Sequence, residues 1–118
     1  MPIVRIDVTG PKTPAYKRAV MAGVRAAVTS ELGADDGRVT LRIFESAGED
    51  LDMPSCRTDR FTVIDVLMYE GRTAEMKAAA AAAMRASLLA DPGIEACEVS
   101  VAFHSMSKVD LDVMPGEA

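Results

Sequence analysis

Matches spaced 60 residues apart run through this chain of 118 residues, and such a duplication constrains the fold more than any single motif does. Lys12-Thr13 recurs as Arg72-Thr73, Lys17 as Lys77, Arg25-Ala26 as Arg85-Ala86 and Gly33 as Gly93. Val39 recurs as Val99, and Asp50-Leu51-Asp52 as Asp110-Leu111-Asp112. Ile6-Asp7-Val8 matches Ile64-Asp65-Val66 at an offset of 58, which predicts two extra residues between the first strand and the helix of the second copy. With only two copies the chain is a duplicated unit and not a solenoid. It is read as a single domain, 1–118, with one repeat over 2–58 and the other over 59–118.

Each copy reads strand, helix, strand. Residues 2–8 and 61–69 are rich in Ile, Val and Phe with polar residues interspersed, as in half-buried strands. Thr13-Pro14 supplies an N-cap followed by proline at the first helical position. Val20, Met21, Val24, Val28 and Leu32 then recur at steps of three and four, giving one apolar helix face that Gly33 ends. The second helix is capped by Thr73, carries Glu75 in its first turn, and runs to about Ala90 before Asp91-Pro92-Gly93. Its run of alanines, 78–83, reads as helix propensity or as close approach to a sheet, and neither implies chemistry. Second strands are predicted at 39–45 and 98–104, and the segments 46–60 and 105–118 read as loops with room for one short strand each.

Two such units with right-handed crossovers predict an α/β (α+β) fold, a tandem β-α-β repeat forming one four-stranded sheet with both helices on one face. The other face is then uncovered. Because 49% of the residues are hydrophobic, that face is expected to meet another subunit. No apolar run approaches the length of a membrane span and no signal-peptide pattern opens the chain, so a soluble, cytoplasmic protein is expected. A net charge of -5 argues against a nucleic-acid partner. Cys56 and Cys97 make neither a disulfide framework nor a metal motif.

Pro2 follows the initiator position, and removal of methionine would leave a secondary amine at the terminus. Such an amine titrates near neutrality and can act as a base or attack a carbonyl. The plain alternative is a proline that starts an edge strand. Taken together, the repeat, the length and Pro2 resemble the tautomerase superfamily, whose members share a β-α-β unit, an N-terminal proline and trimeric or hexameric assembly. Long members with two units per chain, related to 4-oxalocrotonate tautomerase, malonate semialdehyde decarboxylase and cis-3-chloroacrylic acid dehalogenase, match this length. The most specific match is Glu70-Gly71-Arg72-Thr73-Ala74-Glu75-Met76-Lys77, which is similar to the family's E-G-R-S-x-x-x-K turn. In the first copy the turn is degraded to Thr9-Gly10-Pro11-Lys12-Thr13.

The resemblance implies a tautomerase-like (MIF-like) fold, with Pro2 as general acid or base and Arg72 holding a substrate carboxylate. Arginine's planar fork suits that task, and its charge would lower the pKa of a neighbouring amine. By itself Arg72 reads as a solvated residue at a helix start, and it is Pro2 and the repeat that turn the reading toward a carboxylate contact. The dehalogenase and decarboxylase branches place another arginine near Tyr69 and Glu70, a histidine that aligns with Val28, a tyrosine that aligns with Ala102 and an aspartate near Gly37 or Asp36. The missing second cation favours simple proton transfer. Arg42 points with Thr40 and Phe44 away from Val39, Leu41 and Ile43, where it would polarise a carbonyl or form a salt bridge at a subunit interface. Tyr69 offers a phenol beside Arg72 or caps a strand. His104, Lys12 and Arg38 read as surface or structural residues, and Asp7 and Asp65 as symmetry mates paired with cations across strands.

The resulting expectation is a homotrimer with one site per chain and no metal or organic cofactor. It moves a proton between the carbon and oxygen ends of a small 2-oxo or enol carboxylic acid. Hydration, dehalogenation or decarboxylation of a three-carbon acid is the alternative chemistry, and a non-catalytic trimeric binding protein the alternative class. No nucleic-acid or membrane partner is expected.

Overall fold

Alternation along the strands sets the layers. A computed structural model describes residues 2–55 and 57–114, with β1 at Pro2–Thr9, α1 at Pro14–Glu31, β2 at Thr40–Ser46, β3 at Thr62–Tyr69, α2 at Ala74–Ala90 and β4 at Val99–Met106. The sheet order is β2-β1-β3-β4, with β1 parallel to β2, β3 parallel to β4 and the central β1–β3 pair antiparallel. Val4, Ile6 and Val8 from β1 and Ile64, Val66 and Met68 from β3 point to one face. There they close a core with Val20, Val24 and Val28 of α1 and Ala80, Met84 and Leu88 of α2. Both helices therefore cover the same face. At their crossing, a side chain added at Gly23 would meet the Ser87 Cβ at 3.0 Å, so the small residues there let the two backbones approach.

The caps form as the sequence predicts. The side chains of Thr13 and Thr73 accept hydrogen bonds from the backbone N–H of Tyr16 and Met76, each at 3.1 Å. Gly33 and Gly93, just beyond the two helices, sit at φ of +65° and +97°, a left-handed conformation that glycine adopts without a Cβ penalty. Arg25 and Arg85 also do the same work in both copies. Arg25 Nη2 donates to the Val39 carbonyl and Arg85 Nη2 to that of Val99, each at 3.1 Å, tying each helix to the strand that follows it.

The strand offset of 58 is overturned. β1 pairs with β2 as Ile3 opposite Thr40, and β3 with β4 as Val63 opposite Ser100, so both strands of each copy superpose at an offset of 60. Four residues separate strand from helix in each copy, and there is no insertion. The Ile-Asp-Val match is a slip of two, which leaves every side chain on its own face and is invisible to the hydrophobic pattern. Asp7 and Asp65 are consequently not symmetry mates. The mate of Asp65 is Arg5, and these two stand opposite each other in the β1–β3 register, so the pseudo-twofold axis passes between them. Asp7 pairs with Arg5 of its own strand at 3.0 Å, whereas Asp65 does meet a neighbouring strand, through His104 Nε2 at 2.9 Å.

Among the described residues the connecting segments contain no further strand, and short 3-10 turns form at Asp36–Arg38, Gly48–Asp50 and Ala96–Glu98. The connector between the copies is pinned by a buried carboxylate. Glu98, 3% exposed, accepts from the Thr58 backbone N–H at 3.1 Å and from its hydroxyl at 2.6 Å. The face away from the helices carries Ile3, Arg5, Asp7, Arg42, Phe44, Val63, Asp65, Leu67, Tyr69 and His104, and neither helix packs on it. No described helix is long and apolar enough to cross a membrane.

Candidate active site at the Pro2 end of the sheet

Antiparallel pairing of β1 with β3 brings the start of one strand to the end of the other. Pro2 stands opposite Met68, so Tyr69 lies one residue beyond it and the Glu70-Gly71-Arg72-Thr73 turn follows at once. Gly71 makes the turn possible, since its φ of +123° lies where side chains are strained. The N-terminus of α2 arrives at the same place, and its dipole favours negative charge there. α1 runs back along β1 and delivers its C-terminus to this end as well. Arg72 Nε donates to the Leu32 carbonyl at 3.0 Å, which closes a helix-end acceptor and fixes the guanidinium. Among the described residues its two Nη groups take no partner, leaving the outer edge of the fork open to an anion.

The structure thus brings Pro2, Tyr69 and Arg72 to one end of the sheet. The Pro2 ring is buried on the helix side, Tyr69 is half-buried on the opposite face, and Arg72 is half-buried between the helices. Arg42 is not brought there. It lies opposite Arg5, three residues along the sheet from Pro2, on the outer face, with its guanidinium 5.5 Å from the Phe44 ring centroid. Within one chain, then, it does not reach the Pro2 nitrogen. Val28 is fully buried in the core, Ala102 lies on the outer face, and Asp36 is spent on Arg25 at 3.3 Å. No described group of His, Cys, Asp and Glu has the arrangement of a metal site. Sequence reading missed two features, the Leu32 carbonyl behind Arg72 and Lys108, whose Nζ lies 5.9 Å from the Tyr69 ring centroid.

The other end of the sheet is the same scaffold with different groups. Thr62, fully buried, stands where Pro2 stands and donates from its hydroxyl to the Arg60 carbonyl at 2.9 Å. Lys12, the mate of Arg72, is spent on the Asp59 carbonyl at 3.0 Å. Glu45 accepts from Lys17 Nζ at 2.7 Å and from the Lys12 N–H, and these contacts hold its carboxyl below the usual carboxylate range. An ionised Glu45 lines the open depression beside Gly10 and Pro11 and would repel a substrate carboxylate. A separate cavity of about 40 Å³ is lined by Thr9, Leu51 and Phe61 and has room for water.

Tyr16, also at this end, has a buried hydroxyl without a partner among the described residues. Burial raises its pKa above the ordinary tyrosine value, opposed by the charge of Arg60 and reinforced by those of Asp59 and Glu98. A phenol with a raised folded pKa contributes stability below its unfolded pKa and loses it as pH rises through the folded one. Tyr16→Phe is therefore expected to be neutral or stabilising by up to about 1 kcal/mol near pH 7, and to remove part of the stability loss above about pH 10. Urea denaturation at both pH values checks this. A loss of more than about 1 kcal/mol at pH 7 would mean that the hydroxyl has a partner.

The tautomerase enzyme family matches residues 41–111, more than half of the chain. The chain belongs to that family. Its fold is similar to that of a fused 4-OT symmetric trimer, with a TM-score of 0.84 and 25% identity over 96% of this chain and 92% of the other. It is also similar to the FG41 malonate semialdehyde decarboxylase inhibited by 3-bromopropiolate, with a TM-score of 0.84 and 24% identity over 97% and 90% of the two chains. Pt0534 inactivated by 2-oxo-3-pentynoate gives 0.85 and 23% identity over 96% and 92%. No curated protein matches by sequence.

Proposed function

We propose that the chain is a tautomerase that moves a proton within a small 2-oxo or enol carboxylic acid, with Pro2 as general acid and base. The observation that carries this reading is the meeting of Pro2 and Arg72 at one end of the sheet, with Arg72 anchored on Leu32 and the edge of its fork open. Once methionine is removed, Pro2 is a secondary amine. The charge of Arg72 and the N-terminus of α2 favour its neutral form, which a base working near neutral pH requires. Arg72 binds the substrate carboxylate, the amine takes a proton from the enol oxygen, and the resulting ammonium returns it to carbon. The reaction is balanced without any other reactant. Tyr69, on the outer face of the same sheet end, offers a phenol that can donate to a substrate oxygen.

The far end, with Thr62 in place of Pro2, supplies no such amine, so one site per chain is expected. The uncovered face and the trimeric fused 4-OT together support a homotrimer, in which Arg42, remote from Pro2 in its own chain, would meet a neighbouring subunit. Intact-mass measurement with turnover of phenylpyruvate and 2-hydroxymuconate tests the reading. A chain lacking methionine that turns over at least one of them supports it, and a chain lacking methionine that turns over neither would overturn it.

A further inference from the structure

We propose that Lys108 is a second anion contact of the Pro2 end, receiving a negative group at the end of the substrate remote from the carboxylate on Arg72. This rests on the proposed function. Met106 ends β4 in register with Tyr69, and its carbonyl accepts the Glu70 N–H at 2.9 Å, which joins the Arg72 turn to the segment that follows β4. Lys108 stands two residues later, exposed, with its Nζ 5.9 Å from the Tyr69 ring centroid. It is therefore carried to the same end as Pro2, on the Tyr69 side of the sheet, whereas Arg72 stands on the helix side.

The turn that carries Lys108 is held by its own hydrogen bonds. Ser107 Oγ donates to Asp110 Oδ2 at 3.2 Å, and the Asp110 and Leu111 N–H groups donate to the Ser107 carbonyl at 3.1 and 3.0 Å. Leu111, only 8% exposed, seats the segment. Asp110 is thereby occupied, and among the described residues Lys108 forms no ion pair with a carboxylate. The first copy makes a corresponding turn, in which the Asp50 N–H donates to the Ala47 carbonyl and the Leu51 N–H to that of Gly48, with Gly48 standing where Lys108 stands. Folding of the turn does not call for the cation. The two ends differ where charge matters: the Pro2 end adds Lys108 and keeps the Arg72 fork open, and the far end has Gly48 and a tethered Lys12.

A fork on one side and a flexible point charge on the other suit an acid with two anionic groups, one held in a plane and the other held loosely. Glu70, exposed on the same turn, opposes a second carboxylate, and Lys108 offsets that charge. Steady-state kinetics on the full chain with phenylpyruvate, which has one carboxylate, and 2-hydroxymuconate, which has two, separates the outcomes. Lys108→Ala is expected to raise KM for 2-hydroxymuconate roughly tenfold, the loss of one charge-assisted contact, and to change KM for phenylpyruvate less than about twofold. Lys108→Arg is expected to restore most of the loss. Unchanged values for both substrates, or equal changes for both, would overturn the role of Lys108 and leave the Pro2 reading standing. If the parent chain turns over neither substrate, the underlying reading falls and this one with it.

Discussion

Extending the chain by two residues ahead of Pro2 is expected to lower kcat for enol turnover by roughly two to four orders of magnitude, the usual contribution of a positioned proton-transfer group. The extension converts the amine to an amide, which has no basic lone pair, and leaves the β1–β3 pairing intact. Pro2→Ala is expected to do less, because after methionine removal a primary amine remains at the same place with changed basicity and geometry. The ordering of the two variants carries the information. A loss caused by misfolding would appear in the thermal transition of the extended chain, whereas a loss of chemistry would leave that transition in place. Unchanged turnover in the extended chain would exclude Pro2 as the base.

Arg72→Ala is expected to weaken carboxylate substrates by roughly tenfold to more than a hundredfold in KM, the equivalent of about 1.5 to 3 kcal/mol for one charge-assisted bidentate contact. Lys12→Ala, its repeat mate, is expected to change KM less than about twofold, since Lys12 is tied to the Asp59 carbonyl at the opposite end. Arg72→Lys tests the fork itself. A lysine keeps the charge but cannot hold Leu32 through Nε while presenting two parallel donors, so only partial recovery is expected. Equal small effects of Arg72→Ala and Lys12→Ala would mean that the preserved turn serves only as a helix cap. The carboxylate would then be held elsewhere, with Arg42 of a neighbouring subunit the next residue to test.

Most of the fold is legible in the sequence because its signals are local. Thr13 and Thr73 cap where capping chemistry places them, the apolar spacing in 20–32 marks the buried face of α1, and Arg25 and Arg85 recur because they clamp equivalent carbonyls. The slip at Ile6-Asp7-Val8 shows where such reading fails. A shift of two along a strand preserves every inside and outside position, so only the pairing with β2 and β4 reveals the true offset. The site is legible to the extent that it rests on motif residues. Pro2 is singled out by its place after the initiator methionine and Arg72 by the preserved turn, but Leu32 is a backbone carbonyl 40 residues away that no side-chain pattern marks. Lys108 is an ordinary exposed lysine in sequence. Its position acquires meaning only when β4 ends beside Tyr69. Arg42 illustrates the converse, since alternation correctly gave its face but not its distance from Pro2.

The central claim is a free, weakly basic amine at Pro2 beside the Arg72 guanidinium. An NMR titration of the chain labelled with 15N-proline measures that amine directly. The terminal proline nitrogen is expected to titrate with a midpoint below the ordinary α-amino value of roughly 8, and that midpoint is expected to rise in Arg72→Ala as the neighbouring cation is removed. A residue 2 nitrogen that does not titrate, or one whose midpoint is ordinary and indifferent to Arg72, would contradict it.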